Sequence, residues 1–135
     1  MILAVLSRAQ INDPVNWSFE MDNDNTHIIM TAKMQKDWVV YSQNTGLGGP
    51  VPTAFKFEKS EDYTISSEVN ELSEAIIGFD KVFEVEVIKF KDEATFEQTV
   101  QIHNKGAIIH GSVTYMTCDG QKCLPPRTVP FEVKT

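Results

Sequence analysis

Apolar and polar residues alternate with a period of two along most of this chain, and that pattern restricts it to half-buried β-strands. Trp17, Phe19 and Met21 share one face, with Ser18 and Glu20 opposite. Ile28, Met30, Ala32 and Met34 repeat the pattern after Asn23-Asp24-Asn25, a turn cluster. Trp38 to Tyr41 reads as a third strand, closed by the run Asn44-Thr-Gly-Leu-Gly-Gly-Pro50. Phe55 and Phe57 alternate with Lys56 and Glu58, and Tyr63 and Ile65 mark a further short strand. Residues 67–76 carry the helical signal of the chain, since Val69, Leu72 and Ile76 recur at helical spacing. Strands resume from Val82, with Phe83, Val85 and Val87 on one face and Glu84 and Glu86 on the other. The apolar residues then change faces at Ile88 and Phe90, which predicts a bulge or a sharp twist.

Phe96, Val100 and Ile102 form the next apolar face, and Asn104-Lys-Gly106 predicts a hairpin turn into a return strand of Ile109, Val113 and Tyr115. A last strand runs through Val129, Phe131 and Val133. About eight or nine short strands with almost no helix define an all-β chain, an antiparallel β-sandwich. No linker, repeat or low-complexity segment divides the 135 residues, so they form a single domain. A domain of this size buries enough surface to be stable without disulfides or metals.

Charge and the N-terminus narrow the function. The net charge is −7 and no basic stretch exceeds a pair, so the phosphate-neutralising patch of a nucleic-acid binder is missing. Met1 to Leu6 is a short apolar run, and Ser7 and Ala9 fit the −3 and −1 positions of a signal-peptidase site. Residues 1–9 are therefore expected to be the remnant of a signal peptide, with the exported domain spanning 10–135; the competing reading is a first core strand. Export would place the cysteines where disulfides persist.

The two cysteines, Cys118 and Cys123, flank Asp-Gly-Gln-Lys, and Asp119-Gly120 is a reversal signal that sets them opposite each other across a tight hairpin. A bridge closing so small a ring stabilises by only about 2 kcal/mol, less than one joining distant strands. A short edge bridge is also easy for a partner thiolate to reach. Asp119 disfavours a thiolate at Cys118 and Lys122 favours one at Cys123, which nominates Cys123 as the attacking sulfur. Two thiolates with His103, His110 or Met116 could hold copper or zinc, but no second cysteine pair or histidine pair at ligand spacing accompanies them. Spacing alone leaves a redox pair and a structural staple both open. Met21, Met30 and Met34 lie in phase with the apolar face and read as core filling.

Val113-Thr-Tyr-Met-Thr-Cys118, Cys123-Leu-Pro-Pro126 and Val129-Pro-Phe131, with Trp38-Val-Val-Tyr41-Ser-Gln43 upstream, resemble the N-terminal periplasmic domain of the DsbD family of thiol:disulfide interchange proteins. The resemblance implies an immunoglobulin-like sandwich in the periplasm whose Cys118/Cys123 pair carries electrons without a cofactor. It implies reduction by a thioredoxin-like electron-donor domain, and onward delivery to periplasmic disulfide isomerases or cytochrome c maturation proteins. It leaves open a link to a membrane-embedded domain. On this resemblance Cys123 forms the mixed disulfide and Cys118 resolves it. A cap loop with a phenylalanine covers the pair; Phe83 matches it, with Phe79 second and Tyr41 and Tyr115 as further shielding residues. Two departures stand out: four residues separate the cysteines where the familiar spacing is five, and Lys81-Val82 sit where acidic residues flank the cap. The alternative to exchange is an exported immunoglobulin-like binding module with a structural hairpin disulfide.

Overall fold

A computed structural model describes residues 13–135, and the expectations for residues 1–9 lie outside them. Twelve strands follow one another: β1 (Val15–Met21), β2 (His27–Met34), β3 (Val39–Tyr41), β4 (Ala54–Phe57), β5 (Tyr63–Ile65), β6 (Asn70–Glu71), β7 (Ile76–Asp80), β8 (Val85–Lys91), β9 (Glu93–Ile102), β10 (Ile108–Tyr115), β11 (Thr117–Cys118) and β12 (Arg127–Lys134). All pairings are antiparallel. One sheet has the order β1-β2-β9-β5, with β6 also on β9; a second is β12-β10-β4; a third is β11-β3-β8-β7.

The alternation sends Ile28, Met30, Ala32, Ala94, Phe96 and Val100 of the first sheet inward, where they meet Ile109, Phe131 and Val133 of the second. Val40 and Phe90 of the third sheet complete this core, and Trp17 packs edge-on to Phe55 and Tyr115. Gly111 lets β10 pass between its neighbours: a Cβ there would strike the Lys56 carbonyl oxygen and lie 2.6 Å from Phe131 Cζ.

Three expectations are corrected. Residues 67–76 form no helical turn. Gln98, buried on β9, donates through Nε2 to the carbonyls of Ser66 and Ser67, at 2.8 and 3.2 Å. Farther on, the Leu72 amide donates to Thr95 O and Ser73 Oγ accepts from the Thr95 amide, both at 2.8 Å. The segment is thus an extended strap along β9, and Leu72 points to solvent. The second correction concerns Asn104–Gly106. The turn forms, with Gly106 at φ 83°, but β9 and β10 do not pair, and the turn carries the chain from the first sheet to the second.

The bulge expected on β8 does not form: the strand pairs residue for residue with β3 and β7, and the apolar residues change faces because both faces are covered. Val87 and Phe90 are both buried, on opposite sides of the third sheet: Phe90 joins the main core and Val87 a separate, smaller cluster. β3 splits the same way, Val40 inward and Tyr41 outward.

Candidate functional site: a hairpin disulfide at a sheet edge

The smaller cluster is where the cysteines lie. Its buried members are Tyr41, Val87 and Cys118, with Val39, Phe83, Val85, Met116 and Cys123 packed against them. β11 forms an edge of the third sheet, pairing Thr117 with Val40 and Cys118 with Val39. Thr117 Oγ1 donates to Val39 O at 2.7 Å, which anchors the strand just before the first cysteine.

Beyond it the chain reverses sharply. Asp119 Oδ1 accepts the amides of Gln121 and Lys122, both at 2.9 Å, and the Asp119 amide donates to Lys122 O at 3.0 Å. These amide bonds hold the Asp119 carboxyl below the usual carboxylate range, so it stays charged beside Cys118. Gly120 takes φ 96°, a backbone conformation that side chains disfavour. Cys118 and Cys123 thereby pair across the hairpin with Cα atoms 4.0 Å apart and their sulfurs joined. The two cysteines are not equally placed: Cys118 is buried at 3% exposure, whereas Cys123 is half-buried.

Phe83 enters from the turn between β7 and β8. Asp80 Oδ1 accepts the amides of Val82 and Phe83, at 2.8 and 3.0 Å, and the Glu84 amide closes back onto Asp80 O at 2.7 Å. This side-chain-capped turn presets the direction of the ring. Beneath it lies Gly49, where a Cβ would come 2.9 Å from Val85 Cγ2 and 3.7 Å from Phe83 Cβ. The absent side chain lets the 44–50 loop approach the aromatic turn. The Val51 amide donates to Met116 Sδ at 3.4 Å, tying the end of that loop to the cysteine hairpin.

The expected shielding residues separate into two environments. Phe83 and Tyr41 share the cysteine cluster. Burial, followed by the negative charge of Asp80, pushes the Tyr41 phenol up to about 12, so it is neutral at physiological pH. Tyr115 belongs to the main core instead, with its hydroxyl donating to Asp13 Oδ2 at 2.7 Å; burial and then that carboxylate raise its pKa as well. Phe79 lies outside the cysteine cluster, 69% exposed. Of the metal candidates, Met116 is at the site, His103 bonds Thr64 Oγ1 and His110 faces Glu132. No group of three or more His, Cys, Asp or Glu residues able to hold a metal occurs among the described residues. Sequence reasoning missed both Asp80 and Gly49: an aspartate three residues before Phe83 is an Asx-turn signal that could have found the first, but the second depends on a neighbour far along the chain.

A disulfide across a hairpin at a sheet edge, with one cysteine buried, the other half-buried and Phe83 packed in the same cluster, marks a thiol–disulfide exchange module of the immunoglobulin-like class. The profile of the family described as thiol:disulfide interchange protein DsbD, N-terminal, matches residues 8–135, and the chain belongs to that family. Three solved structures share its fold. The reduced DsbD N-terminal domain of Neisseria meningitidis is 11% identical, with a TM-score of 0.66 over 90% of this chain and 86% of that one. The N-terminal periplasmic domain of ScsB from Proteus mirabilis is 14% identical, with a TM-score of 0.55 over 89% of this chain and 44% of that one. The structure of the complex between the DsbD and PilB N-terminal domains of Neisseria meningitidis contains a chain 12% identical, with a TM-score of 0.60 over 87% of this chain and 80% of that one. No curated protein matches the chain.

Proposed function

We propose that Cys118 and Cys123 are the exchanging pair of this thiol–disulfide domain, with Cys123 as the sulfur that partners reach. The observation that carries this reading is the unequal burial of the two cysteines of one bridge at a sheet edge. In the electron-accepting half, a partner dithiol's thiolate attacks Cys123 Sγ, the Cys118–Cys123 bond breaks, and Cys118 leaves as the thiolate. The partner's second thiolate then attacks its own sulfur in the mixed disulfide and releases Cys123. Two electrons have moved to this domain and the partner is left with a disulfide. In the donating half, the Cys123 thiolate attacks a target disulfide, and Cys118 then attacks Cys123 Sγ to restore the bridge and free the reduced target.

Phe83 and Tyr41 act as the cover. They exclude small oxidants and reductants by occupying the approach to the sulfurs, and a docking partner displaces the aromatic turn. Tyr115 supports the base of β10 from within the core.

The donor is a thioredoxin-like domain, and the recipients are periplasmic disulfide isomerases or cytochrome c maturation proteins. Support for this comes from the family and from the similar structures, one of them a periplasmic domain and another taken from a complex with a PilB N-terminal domain. A periplasmic location for this domain is supported by the same family and by the ScsB periplasmic domain.

Trapping tests the assignment. Cys118→Ser should leave Cys123 able to hold a stable mixed disulfide with a thioredoxin-like protein, seen as a dithiothreitol-sensitive covalent adduct. Cys123→Ser should give far less. Absence of an adduct from either variant, together with a bridge inert in glutathione buffers, would return the domain to a binding module with a structural disulfide.

A further inference from the structure

Glu71 lies on the β9 strap, 47 positions before Cys118 in sequence, and yet its carboxylate ends at the cysteine cluster's border. Ser42 Oγ donates to Oε1 at 2.8 Å, the Gln43 amide donates to Oε2 at 2.8 Å, and Gln43 Nε2 donates to Oε2 at 3.3 Å and to Val69 O at 3.2 Å. Ser42 is fully buried, and its hydroxyl also accepts the Asn44 amide at 2.9 Å. One carboxylate thus gathers the donors of a turn that begins directly after Tyr41. Hydrogen bonds to an ionised acceptor are among the stronger ones available to a protein.

The turn is connected onward in two directions. Thr45 Oγ1 accepts the Ile88 amide of β8 at 3.0 Å, so the turn is fastened to the strand that leads out of the Phe83 turn. Farther along the same loop, Gly49 lies against Val85 and Phe83. Backwards, the strap that carries Glu71 is fixed to the main core by the Gln98 and Ser73 bonds. Polar contacts therefore run from the core strap through Glu71 to the turn after β3 and on to β8, and the apolar contact at Gly49 completes the path to the Phe83 turn; Glu71 is its central link.

We infer that Glu71 is a positioning residue for the exchange reaction: through the turn after β3 it holds Tyr41 and the 44–50 loop so that Phe83 stays closed over the disulfide. The inference rests on the proposed role of the Cys118–Cys123 pair. It assigns the cover's resting state to a carboxylate that touches neither sulfur.

The test is the rate of reduction of the folded, oxidised domain by dithiothreitol at fixed pH. Glu71→Ala should raise that rate about three- to tenfold, as expected when an open minor state gains population. Glu71→Gln should return it close to the original rate, because the amide oxygen can accept the Gln43 amide while its NH2 group donates to Ser42 Oγ. In a Phe83→Ala background, Glu71→Ala should add almost nothing, since the cover it positions is gone. Should Glu71→Ala fail to fold, Ser42→Ala removes one arm of the clamp and carries the same expectation at smaller size. Unchanged rates, or an acceleration of equal size with and without Phe83, would overturn the inference. Those outcomes are separate from partner trapping: a domain that traps a partner but reduces at one rate in every variant keeps its exchange role and loses Glu71's.

Discussion

The two apolar clusters of this domain share β3 and β8 but differ in what closes them. The main core is sealed by sheets on both sides, with Ile28, Met30, Phe96, Ile109 and Val113 shut off from solvent. The cysteine cluster has three buried members and is closed by turns: the Asp119–Lys122 hairpin, the Asp80–Glu84 turn and the 44–50 loop. β3 and β8 belong to both, turning Val40 and Phe90 one way and Tyr41 and Val87 the other. Local opening draws on regions with few buried contacts and turn-level hydrogen bonds. The cover proposed over the disulfide would therefore yield while the sheet beneath it is held from behind.

This contrast can be broken most forcefully from the core side. Phe96→Ala, which empties a fully buried site surrounded by Trp17, Phe55 and Phe90, should cost about 3–5 kcal/mol in denaturant unfolding. It should leave the dithiothreitol reduction rate of the folded fraction near its original value; a large acceleration would mean that the clusters are not separable. Removing the bridge with Cys118→Ala and Cys123→Ala should cost about 2 kcal/mol, in line with the entropy of a small ring, and the sandwich should still fold. A loss as large as that of Phe96→Ala would make the bridge a structural staple.

Smaller still in stability is Phe83→Ala, at about 1 kcal/mol for a half-buried ring on a surface turn. Its signature is kinetic: small oxidants and reductants should react several-fold faster with the pair. No change in rate would remove Phe83 as the cover.

The smallest effect marks the far end of the sandwich. Asp22 in the β1–β2 turn is lowered to about 2: burial pushes it up, but the amides of Thr26 and His27 and then their side chains outweigh it. A carboxyl depressed in the folded state stabilises above its unfolded pKa of about 3.9 and loses that contribution as pH falls. The advantage over Asp22→Asn should hold above about pH 5 and vanish between about pH 4 and 2. With the side chain 27% exposed, screening keeps it to about 1 kcal/mol or less. A constant difference across that window would contradict the assignment, and exchange rates should be indifferent throughout.

The strands were legible because burial on one face forces alternation, and the residues of β1, β2, β8 and β9 point as their pattern requires. The destination of a turn was not. Asn104–Gly106 has the composition of a hairpin, but whether the next strand pairs or crosses depends on which sheet needs Ile109 and Val133. Val69, Leu72 and Ile76 mimicked a helical face because local spacing carries no information about Gln98, which holds the segment extended from 32 residues away. At the site, the cysteine hairpin could be read because reversal signals are local, whereas Phe83 was nominated by the family resemblance. Tyr115 misled as a shielding residue because the strand alternates: Tyr115 goes to the core and Met116 to the cysteines. Glu71 was invisible, since it meets Ser42 across 29 residues of chain.

The most direct measurement is a glutathione redox titration in which the Cys118–Cys123 state and the fold are followed in the same sample, thiols by mass after alkylation and packing by near-ultraviolet circular dichroism. The pair should pass reversibly from disulfide to dithiol while the aromatic signal of the main core stays native. A bridge that survives until that signal is lost would contradict a working redox pair.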